Sequence, residues 1–403
     1  MTEPAASGVL SQKNRIALWL FPVIIILFST SLTALSADLV LRVIGKKLIY
    51  YRPNEIFLEK WPKLPLVSRY KKNVVYEGES FGDLAAMLGD TRFREIRRVR
   101  FETDAFGFSN NHLSPGNVAY DVIVMGDSFG VGLGTTQNRT WVAQLKDRYG
   151  IKTYNLSIPG GSPWQSYVNF ASEARRLSSH PGSVALITVF SGNDLDDYYH
   201  DVNVAVSDLP WNNAWQSFEV HMSACVKRSP LLRLLGRINH GNSSAAEVLI
   251  RELPDGRPML FYLPYLISKN RTMDMVRTHV NYPRLLDTLR AIRNLASDYG
   301  LISVVVLFPS KGEIYDWVVN ESQSWKKSEA PGGLGAALKD SLGKENITFI
   351  DFTPELATAA EKAWKNSREL IYWTDDTHWN EKGHGIVADI VYRTVLNASP
   401  CSS

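Results

Sequence analysis

The stretch Tyr120-Asp121-Val122-Ile123-Val124-Met125-Gly126-Asp127-Ser128-Phe129-Gly130 decides how the chain is read. Its first six residues form an apolar, β-branched run ending at a glycine, the pattern of a short buried strand. The serine just past it then sits at a strand-to-helix turn, with its hydroxyl outside the sheet edge. Such a hydroxyl is a weak nucleophile until a base takes its proton. The same residues suit a plain helix N-cap, so the segment alone does not establish chemistry.

Outward from this strand the pattern repeats. Residues 141–149 read as helix, 152–156 as strand, 166–177 as helix and 184–190 (VALITVF) as a third buried strand. Residues 283–299 carry Leu285, Leu286, Leu289, Ile292 and Leu295 at helical spacing. Residues 301–308 and 348–352 read as two further strands, and 383–396 as a closing helix. Strands alternating with helices predict an α/β fold, a parallel sheet covered on both faces. In such sheets the reactive groups sit on loops beyond the carboxyl ends of the strands.

The chain has 403 residues, 45% apolar and 21% charged, which supports a sizeable core. Its 44 basic and 41 acidic residues leave a formal charge of +3, too balanced for a nucleic-acid partner. Its 11 Trp and 17 Tyr fit stacking on sugar rings and a large core equally well. Neither Cys225 nor Cys401 belongs to a C-x-x-C pair, so no zinc site is expected. A disulfide between them requires an oxidising compartment.

Residues 16–35 (IALWLFPVIIILFSTSLTAL) carry no charge and have about the length of a membrane-spanning helix. A secretory signal is the competing reading, with Lys13 and Arg15 as basic flank and Ala34-Leu35-Ser36 as the cleavage-like site. The anchor is favoured because the apolar stretch continues past Phe28 at near-spanning length. Either way the domain that follows is expected outside the cytoplasm. Basic residues on both sides (Lys13 and Arg15; Arg42, Lys46 and Lys47) leave orientation unset by charge alone. Residues 37–118 read as a solvated connector or small β-rich preamble, punctuated by Pro53, Pro62 and Pro65 and basic from Arg94 to Arg100. Residues 195–281 form an insertion much longer than a usual strand–helix connection, a lid, a substrate wall or a structural appendage.

Three more motifs join the first. Asn155-Leu156-Ser157-Ile158-Pro159-Gly160-Gly161 follows the second strand, and glycine lets backbone N–H groups approach an oxyanion. Ser191-Gly192-Asn193-Asp194 follows the third, and an Asn amide donates without needing a charge. Thr374-Asp375-Asp376-Thr377-His378-Trp379-Asn380 places carboxylates two and three residues before a histidine, where one can orient and stabilise the imidazole. Taken singly these suit an ordinary turn, a polar turn and a surface histidine. Their joint order is far more specific.

On these residues the chain resembles the SGNH (GDSL-type) hydrolase superfamily, over roughly 119–397. Gly126-Asp127-Ser128 matches the first block, with Phe129 where Leu is commonest. Gly160 best matches the second-block glycine, with Gly161 the other candidate. Ser191-Gly192-Asn193-Asp194 stands for the third block. Asp375 and His378 match the last block as D-x-x-H, whereas a D-x-H-W form, found in members that modify exported polysaccharides, selects Asp376. Both aspartates stay open. Thr103-Asp104-Ala105-Phe106-Gly107-Phe108 also looks like a lead-in of some membrane-tethered members.

The resemblance implies an SGNH-like, flavodoxin-like three-layer sandwich with an N-terminal transmembrane helix. The segments would be a tail (1–15), the anchor or signal (16–36), the preamble (37–118) and the catalytic domain (119–398) with its insertion. It implies Ser128 as nucleophile, His378 as base, Asp375 or Asp376 as its acid, and Ser128, Gly160 and Asn193 as the oxyanion hole, with no cofactor and no metal. The product would be an esterase or O-acetyltransferase acting on a glycan. As a transferase it would need a multi-spanning membrane partner to deliver acyl groups. The rival Gly126-x-Ser128-x-Gly130 elbow of α/β-hydrolases ranks lower, since there acid and histidine lie on separate loops and more strands precede the serine. Gly130-Val131-Gly132-Leu133-Gly134 lacks the spacing of a nucleotide loop. A catalytically inert, glycan-binding or scaffolding domain is the alternative outside enzymes.

Overall fold

The computed structural model describes residues 12–44, 52–61, 64–110, 118–202, 229, 231, 245–322 and 332–397. Cys225 and Cys401, and with them the disulfide reading, lie outside the described residues. The chain divides into two compact units, residues 1–50 with 225–239 and residues 51–224 with 240–403.

The first unit is built on helix α1 (Gln12–Ile44), 33 residues long. Its segment Phe21–Leu41 has mean hydropathy 2.0. The helix spans about 50 Å at 1.5 Å per residue, more than the roughly 30 Å of a hydrocarbon core. One charge in its apolar stretch is locally satisfied: Asp38 accepts from Ser229 Oγ at 2.6 Å and from Leu231 N at 3.1 Å.

The second unit opens with the preamble. After α2 (Pro53–Phe57) come two antiparallel hairpins, β1 (Leu58–Trp61) with β2 (Leu64–Tyr70), and β3 (Val75–Ser80) with β4 (Arg97–Glu102). A short helix α3 (Asp83–Leu88) connects the second pair. The central sheet uses β5 (Tyr120–Met125), β6 (Thr153–Asn155), β7 (Ser179–Phe190), β10 (Ile302–Phe308) and β11 (Thr348–Asp351). All its pairings are parallel, in the order β11-β10-β7-β5-β6. Between β7 and β10 the insertion supplies an antiparallel hairpin, β8 (Val248–Glu252) with β9 (Pro258–Tyr262).

Alternate residues of each central strand face opposite layers. Ile123, Met125, Ile187, Val189, Val305 and Leu307 join one core, against α6 (Pro163–Glu173), α9 (Tyr282–Asp298) and α12 (Gly333–Gly343). Val122, Val124, Leu186, Val304, Val306 and Phe308 join the other, against α5 (Trp141–Tyr149), α13 (Thr353–Ser367) and α14 (Glu381–Val391). Burial on both faces is why these strands read as continuous apolar runs. The expected three-layer parallel architecture is thus the one observed. Numbered within the sheet, its strand order is 2-1-3-4-5, the flavodoxin-like arrangement whose switch point lies beside β5.

Boundaries shift where caps act. α6 starts at Pro163 rather than 166, because Ser162 Oγ accepts from Gln165 N and proline suits the first helical position. The closing helix starts at Glu381 rather than 383, with Asn380 Oδ1 accepting from Gly383 N at 3.0 Å, and ends in a π turn over Tyr392–Leu396. β7 begins at Ser179, five residues before the apolar run.

The preamble is latched to the sheet through Asp104, which is fully buried. Its Oδ1 accepts from Phe106 N (2.8 Å) and Phe108 N (3.1 Å). Its Oδ2 accepts from Asn110 Nδ2 (3.1 Å) and Tyr154 Oη (2.7 Å). Between them Gly107 has φ +83°, and a Cβ there would lie 2.3 Å from the Tyr70 carbonyl oxygen. Asp104→Ala removes the acceptor of four hydrogen bonds, of whose donors Asn110 Nδ2 keeps the Asn155 carbonyl, and is expected to destabilise the protein by about 2–4 kcal/mol. Chemical unfolding of the full chain in detergent checks this, and an unchanged midpoint would contradict the latch.

Candidate functional site

Ser128 opens a one-turn helix, α4 (Ser128–Val131), directly after β5. The turn forms because Asp127 caps it, Oδ1 accepting from Phe129 N at 2.9 Å. It packs tightly: a Cβ on Gly126 would lie 1.8 Å from Thr188 Oγ1, and one on Gly130 would lie 2.1 Å from Ser157 Oγ. Ser128 itself is half-buried. Its Oγ lies 2.7 Å from His378 Nε2. His378 Nδ1 lies 2.8 Å from Asp376 Oδ1. These three side chains form one continuous chain of contacts.

The loop that presents His378 is held as a unit. Tyr372 and Trp379 form a bridge across it, and Trp373 N donates to the His378 carbonyl at 3.2 Å. Lys311, buried, donates to the carbonyls of Trp373 (2.7 Å), Thr374 (2.9 Å) and Asp376 (3.1 Å). Burial pulls the Lys311 ammonium down to about 8, against the opposing pull of Asp375 and Asp376. The Phe129 ring packs on the imidazole at 4.9 Å and on Trp379 at 4.7 Å.

Of the two aspartates left open by the sequence, only Asp376 bonds the imidazole among the described residues. Its Oδ2 takes Arg97 Nη2 at 2.5 Å and a second guanidinium, that of Arg52. Burial pushes its carboxyl up, but Arg52, His378 and Arg97 outweigh burial and hold it well below the ordinary range. Asp375 faces the other way. Its Oδ2 accepts from Gly82 N (2.6 Å) and Glu95 N (2.9 Å), and its Oδ1 from Arg97 Nη1 (2.8 Å), so its lone pairs are committed to the preamble.

Gly160 and Asn193 follow β6 and β7, the two neighbours of β5 in the sheet, so their loops flank the Ser128 turn. Gly160 has φ +64°, a left-handed conformation that glycine adopts without strain. The N–H of the other candidate, Gly161, is committed to the Ile158 carbonyl at 3.0 Å. Asn193 Nδ2 donates to Asp197 Oδ1 at 3.1 Å. Asp194, the last residue of its motif, is buried and accepts from Phe190 N at 2.8 Å. Burial, then the charges of Asp127 and Asp197, push its carboxyl well up.

Sequence reasoning missed the preamble's share. Arg52, Asp83, Glu95 and Arg97 all bond to the His378 loop. Arg94–Arg100 looked solvated, whereas the Arg97 side chain is 8% exposed. Asp83 Oδ1 accepts from Thr377 N (2.9 Å) and its Oδ2 from Thr377 Oγ1 (2.6 Å). Burial, then the charge of Asp376, push the Asp83 carboxyl up. Ligand atoms of Asp83, Asp376 and His378 lie within 4.8 Å of one another. Arg52 already bridges both carboxylates, so a guanidinium stands where a cation would. Two surface cavities, about 730 and 840 Å³, lie along the β8–β9 hairpin and the outer side of the His378 loop, and neither is lined by Ser128.

Residues 272–402, roughly a third of the chain, match the family described as SGNH hydrolase-like domain, acetyltransferase AlgX. No curated protein matches the chain. Among solved structures, a member of the lipolytic G-D-S-L family from Veillonella parvula is 16% identical, with TM-score 0.35, covering 69% of this chain and 98% of its own. The esterase EstA from Pseudoalteromonas is 12% identical, with TM-score 0.31 and coverage of 68% and 95%. A carbohydrate esterase is 9% identical, with TM-score 0.33 and coverage of 76% and 78%. The family match over residues 272–402 and the sheet order agree with the resemblance read from the sequence.

One titration should be visible. Burial raises the Asp197 carboxyl from 3.8 to about 6, against the stabilising hydrogen bond from Asn193. The folded state therefore binds this proton more tightly than the unfolded state, and stability falls as pH rises through that window. Asp197→Asn removes the ionisation. It is expected to unfold at higher temperature than wild type at pH 7.5 and at the same temperature near pH 4. A gap that does not vary with pH would refute this.

Proposed function

We propose that this protein is a serine-dependent acyl-ester enzyme acting outside the cytoplasm on an acetylated glycan. The observation that carries the reading is the contact chain Ser128 Oγ to His378 Nε2 at 2.7 Å and His378 Nδ1 to Asp376 Oδ1 at 2.8 Å. The family match, whose description names an acetyltransferase, supports acyl chemistry.

In this mechanism His378 takes the Ser128 proton on Nε2 as Oγ attacks the ester carbonyl carbon. Its Nδ1–H stays with Asp376, which stabilises the imidazolium. The oxyanion is held by the N–H groups of Ser128 and Gly160 and by Asn193 Nδ2, each donor worth on the order of 3 kcal/mol of barrier. The tetrahedral intermediate collapses as His378 returns its proton to the leaving alkoxide, and Ser128 is left acylated. Water then releases the acyl group, or a sugar hydroxyl accepts it, with His378 again taking the attacking proton.

An apolar helix of spanning length ahead of the domain supports an anchored enzyme working on emerging polysaccharide. A transferase of this form receives its acyl groups from a multi-spanning membrane partner.

The test uses the full chain in detergent with a small acetyl ester. Wild type is expected to hydrolyse it and to react with a serine-directed phosphonate, and Ser128→Ala to do neither. If wild type and Ser128→Ala are equally inert in both assays, the enzyme reading falls and a binding or scaffolding role replaces it. The acetyl content of the exported polysaccharide, compared with and without the protein, separates transferase (less acetyl when it is absent) from esterase (more). No change would remove both. Asp376→Asn is expected to cost about 10³–10⁴-fold in kcat, by stranding the wrong imidazole tautomer. Asp375→Asn, with no bond to His378, should stay within about tenfold of wild type. The reverse ranking would assign the acid to Asp375.

A further inference from the structure

The two oxygens of Asp376 have separate duties. Among the described residues, Oδ1 bonds His378 alone, accepting from its ring at 2.8 Å and its backbone N–H at 3.2 Å. Among the same residues, Oδ2 bonds only guanidinium groups, those of Arg52 and Arg97. Both arginines are nearly enclosed, with side chains 4% and 8% exposed. Arg97 is fixed further: its Nε donates to the Gly134 carbonyl at 2.9 Å, its Nη1 to Asp375 Oδ1 at 2.8 Å, and its guanidinium lies 4.3 Å from the Trp373 ring.

We infer that Arg52 and Arg97, both from the preamble, are positioning residues that set the acid–base behaviour of His378 through Asp376. This rests on the Ser128–His378–Asp376 reading of function. The geometry supplies the means. One nitrogen of each guanidinium sits on Oδ2, while the other holds a neighbouring carboxylate, Asp83 for Arg52 and Asp375 for Arg97, and this restrains the Asp376 carboxylate with Oδ1 facing the ring.

The charge balance supplies the consequence. The groups bonded to the loop at 373–377 are three cations, Arg52, Arg97 and Lys311, and four carboxylates, Asp83, Glu95, Asp375 and Asp376. When all are ionised, the cluster holds one excess negative charge, which the imidazolium formed in catalysis neutralises. Among the described residues, Asp127 and His384 also feel the charge of His378. Both lie outside the preamble, at the cap of the Ser128 turn and in the closing helix. Deleting one guanidinium leaves two excess negative charges. That stabilises imidazolium in the resting enzyme, so the base becomes free only at higher pH.

The experiment measures kcat, KM and the pH profile of kcat/KM for acetyl-ester hydrolysis by the full chain in detergent, with Ser128→Ala as blank. For Arg97→Gln, kcat is expected to fall on the order of 10- to 100-fold with KM nearly unchanged. The acid limb of kcat/KM should move up by on the order of one pH unit. Arg97→Lys keeps the charge but not the fork, so its kcat falls while its acid limb stays with wild type. Arg52→Gln, which leaves the Asp375 contact intact, should move the limb in the same direction and serves if Arg97→Gln does not fold.

If wild type is active over the blank but the glutamine variants keep the wild-type acid limb, the inference is overturned while the functional reading stands. A lysine variant whose limb shifts as far as the glutamine variant's also overturns it, since charge would then not be the cause. Wild type indistinguishable from Ser128→Ala instead defeats the functional reading itself.

Discussion

A carboxylate taken fully out of water must find its compensation in the protein, and Asp376 shows how much structure one such group can require. Removing a carboxylate from solvent costs several kcal/mol unless opposite charges and hydrogen bonds replace the lost hydration. Here the replacements come from two guanidinium groups and an imidazole. Because Arg52 and Arg97 arrive from the preamble, the preamble cannot be a passive connector. The Asp104 latch, the β3–β4 hairpin and the Gly82–Asp375 contact bring those arginines to the sheet edge. Gly82 shows how close the approach is: a Cβ there would lie 1.8 Å from the Asp375 carbonyl oxygen.

The sheet sets the complementary half of the site. Its order places β5 between β6 and β7, so the Ser128 turn lies between the loops bearing Gly160 and Asn193. The His378 loop then closes over it, braced by Lys311 from just beyond β10 and by a bond from Leu260 N of β9 to the Thr374 carbonyl. Phe129, in place of the commoner leucine, packs against the imidazole, Trp379 and Phe190. An aromatic wall of this kind lowers the dielectric around the contact chain, which strengthens every electrostatic interaction in it.

The parts legible in the sequence were those whose cause is local. β5, β7 and β10 read as strands because burial on both faces writes an unbroken apolar run. Ser128 and His378 stood out through short motifs. The starts of α6 and α14 were misplaced because Ser162 and Asn380 begin those helices before any periodicity shows. The choice between Asp375 and Asp376 was not legible, since adjacent aspartates look alike along the chain. What sorts them lies about 280 to 325 residues away, in Arg52, Gly82, Glu95 and Arg97. Arg97 itself was hidden in a run of arginines, and its guanidinium packs against the Trp373 ring.

The distances along the chain carry a last consequence. Ser128 and His378 are 250 residues apart in sequence, and Arg52 and Asp376 are 324 apart. A polypeptide synthesised from its N-terminus presents the serine long before the histidine, and the arginines long before the acid they neutralise. Such a nascent chain holds an unactivated hydroxyl and two unpaired guanidinium groups until the final segment arrives. The Ser128–His378–Asp376 contact chain therefore assembles only after residues 376–378 have been added, and no shorter piece of the chain holds it.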